Sequence, residues 1–250
     1  MDHPVHHDRQ GRAGLTATRR VKRLGRFAPR GENPGVPSLV SVNVGLPREA
    51  AWAGIGRTSI DKRPVRRPVH VGLLGIEGDQ VSDTKHHGGV HQAVYAFARE
   101  DLDFWAGELG QEIQDGQFGE NLTTSGIDVN EAEVGERWRI GEVLLEVASV
   151  RIPCNDFKGW MGLCGYDNRA WVRRFAEQGR PGPYLRVLGE GAIAAGDEIE
   201  VVHEPGHGVT VSTMFRALTT DHGLLPELLR VDGLVAEARA TAERYVASLR

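Results

Sequence analysis

A cysteine directly after a hydrophobic segment is the first candidate for chemistry. Cys154 ends the tetrapeptide Arg151-Ile152-Pro153-Cys154, which follows a run of apolar residues. A thiolate is a nucleophile and a ligand for soft metals, and a neighbouring cation such as Arg151 lowers the thiol pKa. In a straight strand, residues 151 and 154 point to opposite faces, so Arg151 has this effect only if the chain bends. The alternative, which the tetrapeptide alone favours, is a buried structural cysteine.

A histidine–glycine segment at 86–89 is the second candidate. Gly88 and Gly89 let the backbone approach a ligand closely and offer N–H groups to an anion, and His87 can carry a proton. A zinc site made of His86, His87 and His91 is disfavoured, because the glycines break any helix and no carboxylate stands at a known ligand spacing. The other alternative is a tight turn with exposed histidines.

A third polar cluster lies between apolar residues at 118–123, in Phe118-Gly119-Glu120-Asn121-Leu122-Thr123. Asn121 offers both donors and an acceptor, and the alternative is an Asx-type turn. Cys164 forms no Cys-x-x-Cys pair with Cys154, so we expect it to be a packing residue. The sequence contains no phosphate-binding loop, dinucleotide fingerprint or Gly-x-Ser-x-Gly elbow.

Composition restricts the fold and the compartment. The chain has 250 residues, of which 32 are glycine and 12 are proline, so a turn-rich β architecture is favoured over a helical bundle. No apolar run is long enough to span a membrane. Only 2 cysteines are present, which excludes a disulfide scaffold and predicts a cytoplasmic protein.

Charge divides the chain unevenly. Residues 1–37 hold 8 Lys/Arg and 3 Asp/Glu, a net charge of +5, whereas the other residues hold 22 and 31, a net charge of −9. The basic segment 1–37 has almost no apolar period, which predicts a disordered tail rather than a targeting peptide or a polyanion-binding arm. The acidic remainder argues against nucleic-acid binding.

The predicted elements place these candidates in two units. Residues 38–205 read as a β-rich body, with an inner strand at 91–98, a helix at 101–109 and two strands joined at Gly141. Asp167 or Asn168 is expected to cap a helix that carries Trp171 and Phe175. Residues 206–250 contain three short stretches in which apolar residues recur at the spacing of a helix, and they are predicted to form a small three-helix domain.

Taken in order, these segments resemble the MOSC family, which is named after the C-terminal part of molybdenum cofactor sulfurases, and within it the YiiM-like branch. The resemblance covers about residues 38–205, and the three-helix segment is similar to the one that follows the domain in that branch. The matching residues are Leu74-Gly75-Ile76-Glu77-Gly78-Asp79, His87-Gly88-Gly89, Ala93-Val94-Tyr95, Arg99-Glu100, Trp105, Phe118 to Thr124, Gly126-Ile127, Val134-Gly135-Glu136, Arg139-Ile140-Gly141 and Arg151-Ile152-Pro153-Cys154.

The resemblance implies a fold that is mainly β with α, a barrel-like body of mostly antiparallel strands followed by the small helical domain. It also implies a pocket for the molybdenum cofactor, with Cys154 as the protein ligand of molybdenum. An anionic cofactor requires cations and N–H groups. The candidates for these contacts are Arg151, Lys62, Gly88, Gly89 and Asn121.

The activity that the resemblance implies is removal of oxygen from a small N-hydroxylated substrate, such as a hydroxylamino base or an amidoxime, with two electrons and two protons. His87 and Glu120 are the candidates for proton delivery. No flavin or haem motif is present and no pyridoxal phosphate is expected, so we expect a separate reductase to supply the electrons.

Two other functions remain open at this point. The first is a molybdenum cofactor carrier or sulfur-transfer module without turnover, because a fold does not fix a function. The second is a helix-turn-helix nucleic-acid binder formed by residues 206–250. Those residues hold 5 arginines and 5 acids, so they lack the basic surface of a DNA reader and favour docking or a homodimer instead.

Overall fold

The computed structural model describes residues 35–250. Its 13 strands are β1 Ser38–Val44, β2 Arg48–Glu49, β3 Arg57–Thr58, β4 Arg63–Pro64, β5 Val69–Gly72, β6 Gly75–Ile76, β7 Val94–Ala98, β8 Leu122–Ser125, β9 Arg137–Ile140, β10 Val143–Val150, β11 Pro183–Gly189, β12 Gly191–Ile193 and β13 Ile199–His203. Its α-helices are α1 Arg99–Leu109, α2 Asn155–Leu163, α3 Trp171–Gln178, α4 Val211–Thr219, α5 Leu225–Leu228 and α6 Ala236–Ser248.

One eight-stranded sheet forms the body, in the order β13-β9-β10-β11-β7-β8-β1-β4. All its pairs are antiparallel except β7–β8. The sheet closes on itself because Ser38 of β1 bridges Glu198, and the Ile199 N–H donates to the Pro37 carbonyl at 2.7 Å. The strands from β13 to β1 therefore form a ring, and β4 joins β1 near its other end. This confirms the predicted class, mainly β with α and a barrel-like body.

An aromatic cluster fills the space between the ring and the first three helices. Phe118 lies at its centre, with ring centroids 5.2 Å from Phe97 of β7 and 5.1 Å from Phe157 of α2. Trp171 and Phe175 of α3 complete it, and all five side chains are at most 1% exposed. Such rings bury a large apolar area, and their edge-to-face contacts add about 0.5–1.5 kcal/mol each. This packing fixes α2, the helix that begins next to Cys154.

The C-terminal helices pack on the same body. Helix α4 begins at Thr210, whose hydroxyl accepts a hydrogen bond from the Thr213 N–H. The Val211 N–H donates to the Ala132 carbonyl at 2.9 Å, and the Phe215 ring lies 6.3 Å from that of Phe175. The helices lie where the apolar periods predict them, at α4, α5 and α6. Their independence as a separate domain remains a prediction.

Three local expectations differ from the structure. The inner strand expected at 91–98 begins only at Val94, because a 3-10 turn occupies Val90–Gln92. Helix α3 is preceded by Ala170 in a left-handed conformation (φ 50°) and has no side-chain cap. Asp167 instead binds Arg169, which explains why it does not cap the helix. Helix α2 was not predicted. Within residues 35–250, no helix has both the length and the apolar character needed to cross a membrane.

Candidate functional site

A cavity of about 130 Å³ lies beside Cys154 and opens to solvent. Its walls come from the segment after β2, the loop between β6 and β7, the strands β7 and β11, and the start of α2. The lining residues are Arg57, Thr58, Ser59, Ile60, Lys62, Asp79, Gln80, Val81, Ser82, Asp83, His87, Gly88, Gln92, Ala93, Tyr95, Gly119, Asn121, Arg151, Cys154, Asp156 and Tyr184.

Cys154 is presented to this cavity by a bend between a strand and a helix. Strand β10 ends at Val150, and Cys154 is the N-cap residue of α2 with an extended backbone. The chain therefore leaves the alternation of the strand before it reaches the thiol. Because the chain bends here, the side chains of Arg151 and Cys154 can both line the cavity.

The surroundings of Cys154 favour the thiolate. Burial opposes ionisation of the thiol, but its interactions with His87, with the positive charge of Arg151 and with the Phe157 backbone N–H in the first turn of α2 outweigh it. Together they lower the pKa of Cys154 to about 7. A low-pKa, partly accessible thiol at a helix start has the properties of a reactive or metal-binding cysteine.

Arg151 is held rigidly at the base of the cavity. It is only 7% exposed, and its Nη1 donates to the Phe118 carbonyl. Its guanidinium lies over the rings of Phe157 and Tyr95, at 4.2 and 5.0 Å from their centroids. Because one of its nitrogens is hydrogen-bonded and two aromatic rings pack against its guanidinium, Arg151 contributes a permanent positive charge next to the thiol.

Lys62 lies in the cavity wall as one member of a buried ion pair. Its Nζ donates to both carboxylate oxygens of Asp79, and both side chains are at most 10% exposed. Burial lowers the pKa of Lys62, while Asp79 partly restores it. Asn121 joins the pair by donating from Nδ2 to Asp79 Oδ2 at 2.9 Å, and its Oδ1 accepts from the Tyr95 N–H at 3.2 Å. The structure thus brings Lys62 and Asn121 together through Asp79.

The histidine–glycine segment forms one rim of the cavity. Gly88 and Gly89 both have positive φ, 81° and 79°, which a residue with a Cβ rarely adopts. Gly88 lines the cavity and Gly89 does not. His87 reaches the Cys154 thiol, whereas His86 points to Asp83 at 2.8 Å. Among residues 35–250, no three His, Cys, Asp or Glu side chains could hold a metal ion together, so the disfavoured zinc alternative has no support.

Glu120 lies outside the residues that line the cavity. It is completely buried, and its carboxylate accepts from the Gly116 N–H at 2.6 Å, the Phe118 N–H at 2.9 Å and the Thr123 hydroxyl at 3.1 Å. Burial raises the pKa of Glu120 to about 7, although these hydrogen bonds oppose the shift. The geometry is that of a carboxylate that organises the turn at 116–120. Proton delivery by Glu120 stays a prediction, without a contact in the cavity to support it.

Several lining residues were not among the candidates from the sequence. Asp79 stands in the resembling segment 74–79, so its position in that motif was the available signal. Arg57, Gln92 and Tyr184 carried no signal, because only the folded chain brings them to Cys154. Cys164 lies outside the cavity lining, and burial raises its pKa, as befits a packing residue.

The protein is thus a ring of mostly antiparallel strands with a polar cavity, in which a thiol of lowered pKa lies beside Arg151. Residues 83–200 match the family model of the MOSC domain, so this region of the chain is a MOSC domain. The predicted recognition is therefore confirmed.

Three known proteins are similar to this chain. YflK of Bacillus subtilis (strain 168) is 29% identical over 212 residues, which cover 84% of this chain and 92% of YflK. A protein of Gibberella moniliformis named "Reductase" is 31% identical over 204 residues, covering 78% of this chain but only 34% of that protein. The crystal structure of YiiM from Geobacillus stearothermophilus shares the fold, with a TM-score of 0.68 and 24% identity over 83% of this chain and 98% of YiiM.

Proposed function

We propose that this protein binds the molybdenum cofactor through Cys154 and reduces small N-hydroxylated compounds to amines. The observation that carries the proposal is the Cys154 thiol, with a pKa of about 7, at the wall of a cavity that Arg57, Lys62 and Arg151 also line. MOSC domains are associated with this cofactor, and one similar protein is named a reductase.

The residues of the cavity suit the cofactor by their chemistry. Molybdenum bound by a dithiolene is a soft site, and a thiolate is the protein ligand that suits it. The pterin carries a phosphate, for which charged donors are appropriate. The Arg57 side chain has no hydrogen-bond or ion-pair partner within residues 35–250, so it is the cation of this wall that is available to an anion. The Gly88 N–H is a further candidate contact, whereas Asn121 would act by holding Asp79, because its Nδ2 already donates to Asp79 and to the Asn43 carbonyl.

The proposed reaction breaks one N–O bond. An N-hydroxylated amine takes up two electrons and two protons and gives the amine and one water. Bound molybdenum would supply the two-electron chemistry. The chain would fix the metal through Cys154 and keep positive charge beside it through Arg151. His87, which lies beside the thiol, is the proposed proton carrier. Glu120 would contribute indirectly, by holding the turn at 116–120 in place.

The electrons would come from a separate reductase, and the proposed compartment is the cytoplasm. The match to the fungal protein supports a reductase role only for the shared region, because this chain spans about a third of that protein's length. We also propose that the protein forms a homodimer.

Turnover tests the proposed function. The protein, purified without oxygen from a host that makes the cofactor, is given an aromatic amidoxime and reduced methyl viologen, and formation of the amidine is measured. We expect turnover from the wild type and from Cys164→Ser, and at least about a hundredfold loss in Cys154→Ser, in line with the loss of an essential ligand. A wild type that holds the cofactor but yields no amidine would support the carrier alternative and contradict the proposal.

A further inference from the structure

Two tyrosines of the cavity wall form a cross-strand pair. Tyr95 of β7 lies directly opposite Tyr184 of β11 in the sheet, and their ring centroids are 5.2 Å apart. Side chains at opposed positions of neighbouring strands share one face, so both rings point to the same side of the sheet. Both residues line the cavity.

The two hydroxyl groups have different environments. The Tyr95 hydroxyl donates to the Pro181 carbonyl at 2.6 Å and is fully engaged in the fold. The Tyr184 hydroxyl has no hydrogen-bond partner within residues 35–250, and it is not shut off from solvent. Burial raises the pKa of Tyr184, so its O–H group stays protonated at neutral pH. Tyr184 therefore keeps a free hydrogen-bond donor at the cavity.

The Tyr184 hydroxyl belongs to the same cavity as Cys154, the proposed ligand of the metal. Arg151 lines this cavity as well. An oxygen that is removed at a metal held by Cys154 must come close to that sulfur. Arg151 would offer such an oxygen a charged donor, one of whose nitrogens, Nη1, already donates to the Phe118 carbonyl, whereas Tyr184 offers a neutral one.

We infer that the Tyr184 hydroxyl donates a hydrogen bond to the hydroxyl oxygen of an N-hydroxylated substrate and thereby selects substrate over the amine product. This inference rests on the proposed function for the identity of the substrate. The product lacks that oxygen and leaves Tyr184 unpaired, so the same contact favours exchange of product for substrate. Tyr184 is a substrate-binding residue in this account.

Equilibrium binding of two probes tests the inference without turnover. Benzamidoxime carries the N-hydroxyl oxygen, and benzamidine is the corresponding compound without it. Both dissociation constants are measured by calorimetry on the wild type, Tyr184→Phe and Tyr95→Phe, each purified from a cofactor-producing host. Molybdenum and pterin contents are measured on the same preparations.

We expect Tyr184→Phe to weaken benzamidoxime binding by about 3- to 10-fold, the usual effect of one neutral hydrogen bond, and to leave benzamidine binding unchanged. Tyr95→Phe keeps the free Tyr184 hydroxyl, so the ratio of the two constants should stay that of the wild type. Because Tyr184→Phe retains the ring, the packing against Tyr95 is preserved.

A ratio of the two dissociation constants that is the same in the wild type and in Tyr184→Phe would overturn the inference. So would loss of pterin from Tyr184→Phe with unchanged discrimination, because the hydroxyl would then serve the cofactor. A wild type without molybdenum whose discrimination still depends on Tyr184 would refute the proposed function and leave the Tyr184 assignment standing.

Discussion

The Cys154 thiol and the His87 ring both line the cavity, and His87 lowers the pKa of the thiol, which relates the start of α2 to the glycine turn at the cavity rim. Neither residue could be placed beside the other from local sequence, because they belong to segments far apart in the chain. Together with Arg151 and the Phe157 backbone N–H, His87 lowers the pKa of Cys154 to about 7.

The first prediction concerns this thiol. In protein made without the cofactor and carrying Cys164→Ser, the rate of alkylation by iodoacetamide should rise with pH around a midpoint of about 7. Replacing His87 by alanine removes a hydrogen bond to the thiolate and should move the midpoint upward by about one unit. An unchanged midpoint in His87→Ala would contradict the contact.

The second prediction concerns the buried pair of Lys62 and Asp79. Asp79→Asn leaves the buried ammonium without its carboxylate and should lower the free energy of unfolding at pH 7 by about 3 kcal/mol. The matched control is Glu77→Gln, which removes the partner of Arg67 from an exposed pair 3.7 Å apart and should change stability by less than about 0.5 kcal/mol. Urea unfolding measures both. Equal effects of the two substitutions would show that burial of the pair is unimportant.

The third prediction concerns Glu120, whose pKa in the folded protein is about 7 against an ordinary 4.5. Between these values the folded state binds more protons than the unfolded state, so the free energy of unfolding falls as pH rises. We expect the wild type to lose about 3 kcal/mol more than Glu120→Gln between pH 4.5 and 7.5. Urea unfolding across this range gives the two slopes. If the free energy of unfolding changed with pH equally in the wild type and in Glu120→Gln, the pKa of Glu120 would not be raised by folding.

The fourth prediction concerns the loop that packs on α2. A Cβ at Gly159 would lie 2.7 Å from Trp52 Cε3, so Gly159→Ala must displace this ring and should destabilise the protein by about 1–3 kcal/mol. Gly107 of α1 has nothing within 4 Å of its Cβ position, so Gly107→Ala should stabilise by about 0.4–1 kcal/mol. Thermal unfolding compares them. Stabilisation by both would show that Trp52 does not pack against Gly159.

The sequence predicted the fold class, and it predicted candidate site residues through an ordered series of short motifs. The candidates that line the cavity are Lys62, His87, Gly88, Asn121, Arg151 and Cys154. Local periodicity located α1, β9 and β10, because each has a regular apolar face. It did not locate α2, which begins two residues after Pro153 and whose burial depends on Phe118, a distant residue. Tyr184 and Arg57 were missed for the same reason, since pairing across strands and loops brings them to the cavity. Glu120 was selected for its position in a motif, but the fold uses its oxygens to hold a turn.

The central claim is that Cys154 holds the molybdenum cofactor, and the metal and pterin contents of purified protein test it most directly. Wild type, Cys154→Ser and Cys164→Ser are prepared anaerobically from a host that makes the cofactor. The account predicts near-stoichiometric molybdenum and pterin in the wild type and in Cys164→Ser, with molybdenum lost from Cys154→Ser. Equal molybdenum in Cys154→Ser and the wild type would contradict it.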